Sequence, residues 1–232
     1  MGSSRVSEIT IDNPINVICV KWGDRYTAAD VNRLKAAISL WLHVPFKFYC
    51  YTDDATGCDC DIINMPDDGL EYWWPKLRMF ENQFGLKGRC LFFDLDVLIK
   101  APIANHLIEN EGFHLICSVW RDGQTSGTDM AANSSCMIWE ENECQHIWEH
   151  FWKDPEYYMM KYQGIDRFMY HEGLLHKYFK EKIFYSLRYG VKKWDQPKTQ
   201  APWYDADYPI ALLNGFHKYG KDKIKEWNIY DL

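Results

Sequence analysis

At 232 residues the chain has material for one large folded domain with an ample core. Its 33 acidic against 26 basic residues leave a formal charge of −7, which repels phosphate polymers and excludes general nucleic-acid binding as the main activity. No apolar run is long enough to span a bilayer and the start of the chain has no apolar signal region, so a cytoplasmic protein without a transmembrane segment is expected, its eight cysteines reduced and mostly buried.

Residues 15–20 form a short apolar run rich in β-branched side chains, the pattern of a strand buried on both faces. Val31, Leu34, Ile38 and Leu42 then recur at helical spacing across residues 26–42. Residues 46–51 and 61–65 read as two further strands, and residues 75–84 as a helix with Pro75 in its first turn. Residues 89–99 are expected to be one strand carrying two aspartates. Strands at 113–120 and 134–139 flank a polar, Gly-containing loop, and a helix follows at 140–152. Residues 155–173 read as aromatic and irregular, and residues 210–216 as a last strand before a lysine-rich tail. Strand and helix alternate through the first part of the chain, which argues for an α/β fold with a mainly parallel sheet.

The sharpest local feature is Phe92-Phe93-Asp94-Leu95-Asp96-Val97. Two aspartates two positions apart in an extended segment point to one side, where a single cation can meet both, or meet one while the other fixes a bound water. Oxygen ligands suit Mn²⁺ or Mg²⁺, which keep positions open for phosphate oxygens. The apolar neighbours make these carboxylates costly unless they are paired or metal-bound. The plain alternative is a strand end with solvated acids. Lys76, at the start of a helix, is a candidate to neutralise a phosphate, or else a solvated surface lysine. In the tail, His217 is a candidate third metal ligand, Gly220 permits close approach to a phosphate, and Lys223 can pair with it.

These motifs, with the Asn133-Ser134-Ser135-Cys136-Met137 segment and the His217-x-x-Gly220-x-x-Lys223 spacing, resemble the retaining family-eight glycosyltransferases, the group that includes glycogenin and bacterial galactosyltransferases. In style the chain is nearer still to small bacterial and phage-like members. The resemblance runs in order over residues 15–223. It implies an α/β fold of the GT-A (nucleotide-diphospho-sugar transferase) type, a mainly parallel central sheet flanked by helices in one domain spanning residues 1–232. Residues 15–100 would be the nucleotide-binding half, and residues 101–232 the acceptor and sugar half with the tail.

Carried over residue by residue, the resemblance implies Asp94, Asp96 and His217 as ligands of Mn²⁺ or Mg²⁺, with Gly220 and Lys223 on the diphosphate. Val20, Lys21, Trp22 and Tyr26 match the place where the family meets base and ribose, and Thr52 and Asp53 the place where an acidic side chain reads the imide of uracil. Lys76, Asp94 and Leu95 join the donor-binding set, and Asn133 and Ser134 match a segment that touches the donor sugar. Asp166 and Arg167 take the place of the segment beside the reacting carbon, with arginine where the family has glutamine. The family tail continues with Pro-Trp, where this chain has Ile224-Lys225. On the residues alone, Asn133 also reads as a turn residue and Asp166 as a helix N-cap.

The implied activity is transfer of a sugar, with retention, from a UDP-sugar to a glycan, a lipid-linked sugar, a protein or a modified base. Two other classes stay open at this point. One is a metal-dependent nucleotidyl- or phosphoryl-transfer enzyme, although the chain has no Gly-rich phosphate loop. The other is a non-catalytic carbohydrate- or nucleotide-binding module that uses the many aromatic side chains as platforms.

Overall fold

A computed structural model describes residues 9–118, 120, 131–174, 177–180, 182–190 and 206–214. The apolar run at the start becomes β1 (Ile15–Lys21), followed by α1 (Ala28–Trp41), β2 (Phe46–Thr52) and β3 (Asp61–Asn64). After two short 3-10 turns come β4 (Cys90–Phe93), β5 (Val97–Ile99), α2 (Ala104–Leu107), β6 (His114–Cys117) and β7 (Ala132–Trp139). Three helices follow, α3 (Gln145–Phe151), α4 (Pro155–Lys161) and α5 (Ile165–His171), and then β8 (Lys177–Tyr178), β9 (Phe184–Ser186) and β10 (Ile210–Leu212).

The main sheet has seven strands in the order β3-β2-β1-β4-β7-β6-β8, and a smaller sheet has the order β5-β10-β9. In the main sheet β1, β2, β3 and β4 run parallel, and β7 is antiparallel to both of its neighbours. The strand pattern explains why both faces are covered. Val17 and Cys19 of β1, with Leu91 and Phe93 of β4, join the core under α1, while Ile18, Cys90 and Phe92 join the core formed with α3 and α5. Alternate side chains go to opposite faces, so a continuous apolar strand needs a layer on each.

Several expectations change, among them the helix expected at 140–152, which is only Gln145–Phe151, and the strand expected at 113–120, which is only His114–Cys117. Residues 89–99 are not one strand: the chain turns at Leu95 and Asp96, so β4 lies in the large sheet and β5 in the small one. The helix expected at 75–84 is a 3-10 turn over Trp74–Phe80, then a second turn over Asn82–Gly85. Asn82, Gln83 and Phe84 have φ of 45°, 50° and 55°, a left-handed run that costs non-glycine residues ~1–2 kcal/mol each. Gln83 offsets that cost from the inside. Its Nε2 donates to the carbonyls of Leu86 and Gly88 at 3.1 and 2.7 Å, and its Oε1 accepts from Trp139 Nε1 at 2.9 Å.

Residues 155–173, expected to be irregular, hold α4 and α5. Asp154 caps α4 by accepting the Tyr157 N–H at 3.1 Å, with Pro155 in the first turn, a start signal the aromatic composition hid. The strand expected over 210–216 is shorter, Ile210–Leu212, and its final two positions lie outside the described residues. All eight cysteines are free thiols. Among the described residues no helix is long and apolar enough to cross a membrane.

Candidate active site

In a sheet ordered β3-β2-β1-β4, the chain leaves β1 toward β2 on one side and later returns to β4 on the other. The crevice beyond the carboxyl ends of β1 and β4 is therefore a topological switch point, where open α/β sheets bind ligands. A cleft of about 770 Å³ opens there. β1 delivers Val20 to it, the turn between β1 and α1 delivers Trp22 and Tyr26, and the turn after β4 delivers Asp94 and Asp96.

Antiparallel pairing brings the third contributor. β7 pairs with β4 through Phe93 and Cys136, and Asp94 N–H donates to the Ser135 carbonyl at 2.9 Å. On its other side β7 breaks register with β6: Leu115 partners Met137, but Ile116 partners Asn133. Residues Ser134, Ser135 and Cys136 are left opposite no residue of β6, a bulge that turns Asn133, Ser134 and Ser135 into the cleft. α5 closes this side with Asp166 and Arg167, and Asp166 Oδ1 accepts the Ser134 N–H at 2.9 Å.

Lys76 links these parts. Its ammonium lies 2.6 Å from Asp94 Oδ1, 3.3 Å from Ser134 Oγ and 4.9 Å from the centre of the Phe92 ring. Burial, and then the negative charge of Asp94, push the carboxyl of Asp96 up to about 6, against the opposing pull of Lys76 and Arg25. Burial also raises the Tyr26 phenol, followed by the charges of Asp96 and Asp94. The cleft floor thus concentrates negative charge in a partly desolvated place. A hard divalent cation would relieve that charge, and two carboxylates are the donors it prefers. Among the described residues no group of three His, Cys, Asp or Glu side chains is arranged to hold a metal. His217, Gly220 and Lys223 lie outside the described residues.

The turn between the aspartates is anchored from two directions. Leu95 is buried, and its carbonyl accepts from Arg33 Nη2 of α1 at 3.0 Å. The Asp96 carbonyl accepts from Leu213 N–H at 3.0 Å, which returns the chain beyond β10 to the cleft and seats Asn214 in its lining. α1 itself starts at a reciprocal cap, where Thr27 N–H donates to Asp30 Oδ2 at 2.9 Å.

Lys21, Thr52 and Asp53 are near the site but do not line the cleft. Lys21 is buried, and its ammonium donates to the Asp54 carbonyl at 2.8 Å. Thr52 Oγ1 donates to that same carbonyl at 3.0 Å, and Asp53 Oδ2 accepts the Gly23 N–H at 2.9 Å. These three brace the corner where β1 and β2 end. Conversely, sequence reasoning missed Arg25, Tyr72, Tyr189 and Asn214, all in the lining, as is Gln163 from the aromatic stretch 157–170, expected to shape the acceptor site. Only Tyr72, beside a pair of tryptophans, carried a local signal.

Gly164 explains how α5 approaches. Its φ is +113°, and a Cβ there would lie 3.1 Å from Trp73 Nε1 and 3.3 Å from Trp73 Cδ1, so the indole packs directly on glycine backbone. Only glycine fits both the dihedral and the contact.

No family model matches the chain, and no curated protein matches it in sequence. Solved structures do. The galactosyltransferase LgtC, in complex with donor and acceptor sugar analogues, superposes with a TM-score of 0.58 at 12% identity, covering 93% of this chain and 95% of that one. An active-site mutant of LgtC gives 0.58 at 11% identity, with 92% and 94% covered. The apo glycosyltransferase GlyE of Streptococcus pneumoniae TIGR4 gives 0.61 at 11% identity, covering 94% of this chain and 60% of GlyE. At such identities the likeness is one of fold: the chain has the GT-A fold of these glycosyltransferases.

Proposed function

We propose that the protein is a glycosyltransferase that takes a sugar from a UDP-linked donor bound in the cleft beyond β1 and β4. The observation that carries this reading is the convergence of Asp94, Asp96, Lys76, Ser134 and Asp166 at the switch point of a GT-A sheet. Asp94 and Asp96, with His217 from the tail, would hold Mn²⁺ or Mg²⁺. When bound, that cation screens the diphosphate and acts as a Lewis acid on the leaving group.

The chain's own residues do the rest. Trp22 and Tyr26, with Val20, receive the base and ribose beyond β1, at a corner that Lys21, Thr52 and Asp53 keep rigid. Lys76 supplies a fixed positive charge where negative charge develops on the departing phosphate, the preorganised electrostatics that most lowers such barriers. Gly220 and Lys223 are assigned to the same diphosphate. Leu95 stays in the core and holds the aspartate turn, while Asn133 and Ser134 meet the donor sugar. Asp166 and Arg167 border the reacting carbon. Retention then follows from front-side attack within an ion pair, with the acceptor hydroxyl and the leaving phosphate on one face. Residues 15–100 carry the nucleotide site, and the later residues most of the acceptor side.

Isothermal calorimetry of UDP and GDP, with and without Mn²⁺, on wild type and Asp96→Ala tests the reading. Metal-dependent UDP binding that the variant loses supports it. UDP binding indifferent to Mn²⁺, or none at all, overturns it.

A further inference from the structure

Large apolar side chains at the surface of a monomer call for an explanation when they cluster at a cleft. Tyr72 is 66% exposed and Trp73 43% exposed, and both line the cleft. Their rings form a continuous wall with Trp22: the centroids of Trp22 and Tyr72 are 5.4 Å apart, and those of Tyr72 and Trp73 are 5.8 Å apart. Tyr72 holds this position at φ +59°, a left-handed conformation unfavourable for a bulky aromatic residue. The segment carrying it is tied down behind, where Arg78 Nε and Nη2 donate to Asp68 Oδ2 at 2.9 and 2.5 Å, and Leu70 is buried. A strained, exposed ring on an anchored segment is a built feature rather than a loose side chain.

We infer that Tyr72 and Trp73 form a stacking subsite for a pyranose ring of the acceptor, so that the acceptor is a carbohydrate; this rests on the glycosyltransferase reading above. A pyranose presents a patch of C–H bonds on one face and hydroxyls around its edge. It is matched by an aromatic face with hydrogen-bonding groups alongside. Gln163, exposed in the cleft, and Arg167 supply such groups. The wall's direction selects acceptor over nucleobase. Trp22 stands at the nucleotide end beyond β1, whereas Trp73 packs on Gly164, two residues from Asp166 on the reacting side.

The test is saturation-transfer NMR on the full chain with Mn²⁺, first without UDP and then with UDP at saturation. The probes are the methyl glycosides of glucose, galactose, mannose and N-acetylglucosamine in both anomers. At least one is expected to receive saturation on the ring protons of one face and to keep it when UDP is added. Tyr72→Gly, which removes the ring while easing the backbone, is expected to weaken that glycoside at least tenfold, and Tyr72→Phe to restore it to within about threefold. Saturation of no glycoside, displacement of the glycoside by UDP, or unchanged affinity in Tyr72→Gly overturns the inference. UDP binding itself is read separately by calorimetry, so failure of the donor reading is distinguished from failure of this one.

Discussion

The ammonium of Lys76 lies 2.6 Å from Asp94 Oδ1, joining the 3-10 turn after Pro75 to the end of β4. The same ammonium is 3.3 Å from Ser134 Oγ, so one cation spans the three chain segments that meet at the cleft floor. Both partners are largely shielded from solvent, with side chains 11% and 24% exposed. On the glycosyltransferase reading, a charge fixed there would face the departing phosphate. Lys76→Gln is expected to lower kcat for UDP-sugar turnover by ~100-fold or more, the scale seen when one preorganised electrostatic donor is removed. Steady-state UDP release measures it, and a change confined to KM would assign Lys76 to ground-state binding instead.

Asp166 permits a separation of charge from geometry. Its Oδ1 accepts the backbone N–H of Ser134, so it positions the bulged strand whatever else it does. Asp166→Asn keeps an acceptor and removes the charge, whereas Asp166→Ala removes both. The alanine variant is expected to be less stable than the asparagine variant by about 1 kcal/mol, the net worth of a hydrogen bond, read by urea denaturation. If the carboxylate acts on the reacting carbon, both variants lose kcat. If it only positions Ser134, the asparagine variant keeps it.

Gly164 is the point where α5 meets the aromatic wall. Gly164→Ala is expected to cost ~1–3 kcal/mol in stability, because alanine at φ +113° is strained and its Cβ would press on the Trp73 indole at 3.1 Å. The double variant with Trp73→Ala should recover only the steric part. A double-mutant cycle in urea separates the two contributions, and full recovery would show that the dihedral costs nothing.

Glu172 gives a pH signature. A hydrogen bond from the Tyr162 hydroxyl, with His150 and Lys161 at 3.0 and 3.1 Å, holds its carboxyl down to about 2. A carboxyl depressed on folding contributes stability that is fully present above its unfolded value, about 4.5, and is lost as pH falls toward about 2. The Tm difference between wild type and Glu172→Gln is therefore expected to be largest above pH 4.5 and to shrink steadily below it. A difference constant from pH 6 to pH 3 would contradict the assignment.

Much of the frame was legible in the residues themselves. β1, α1, β2 and β3 sit within two residues of where apolar periodicity puts them, because strand and helix periods are written in neighbouring positions. The local chemistry of the Asp94-Leu95-Asp96 triplet was equally visible, though not its shape. A run of apolar residues around two acids does not say that the chain turns between them and hands its two halves to different sheets. That turn depends on Arg33 reaching the Leu95 carbonyl and on β10 pairing with β5, contacts made across long stretches of chain. The left-handed turn at Asn82–Gly85 was illegible for the same reason, since Gln83 stabilises it only once Trp139 is beside it.

What the sequence determined by itself, then, was the alternation of strands and helices, the buried faces of β1 and α1, and the presence of two carboxylates beside a strand end. Tertiary structure alone decided which side chains share the cleft. Strand order sets β4 next to β1, the antiparallel entry of β7 puts Ser134 and Ser135 beside Asp94, and a break in register turns them toward it. Lys76 and Tyr72, Gln163, and Asn214 reach the same space from three separate segments. Periodicity reports which face of an element is apolar, but pairing between distant strands is selected by the free energy of the whole packed core, which no short window of residues contains.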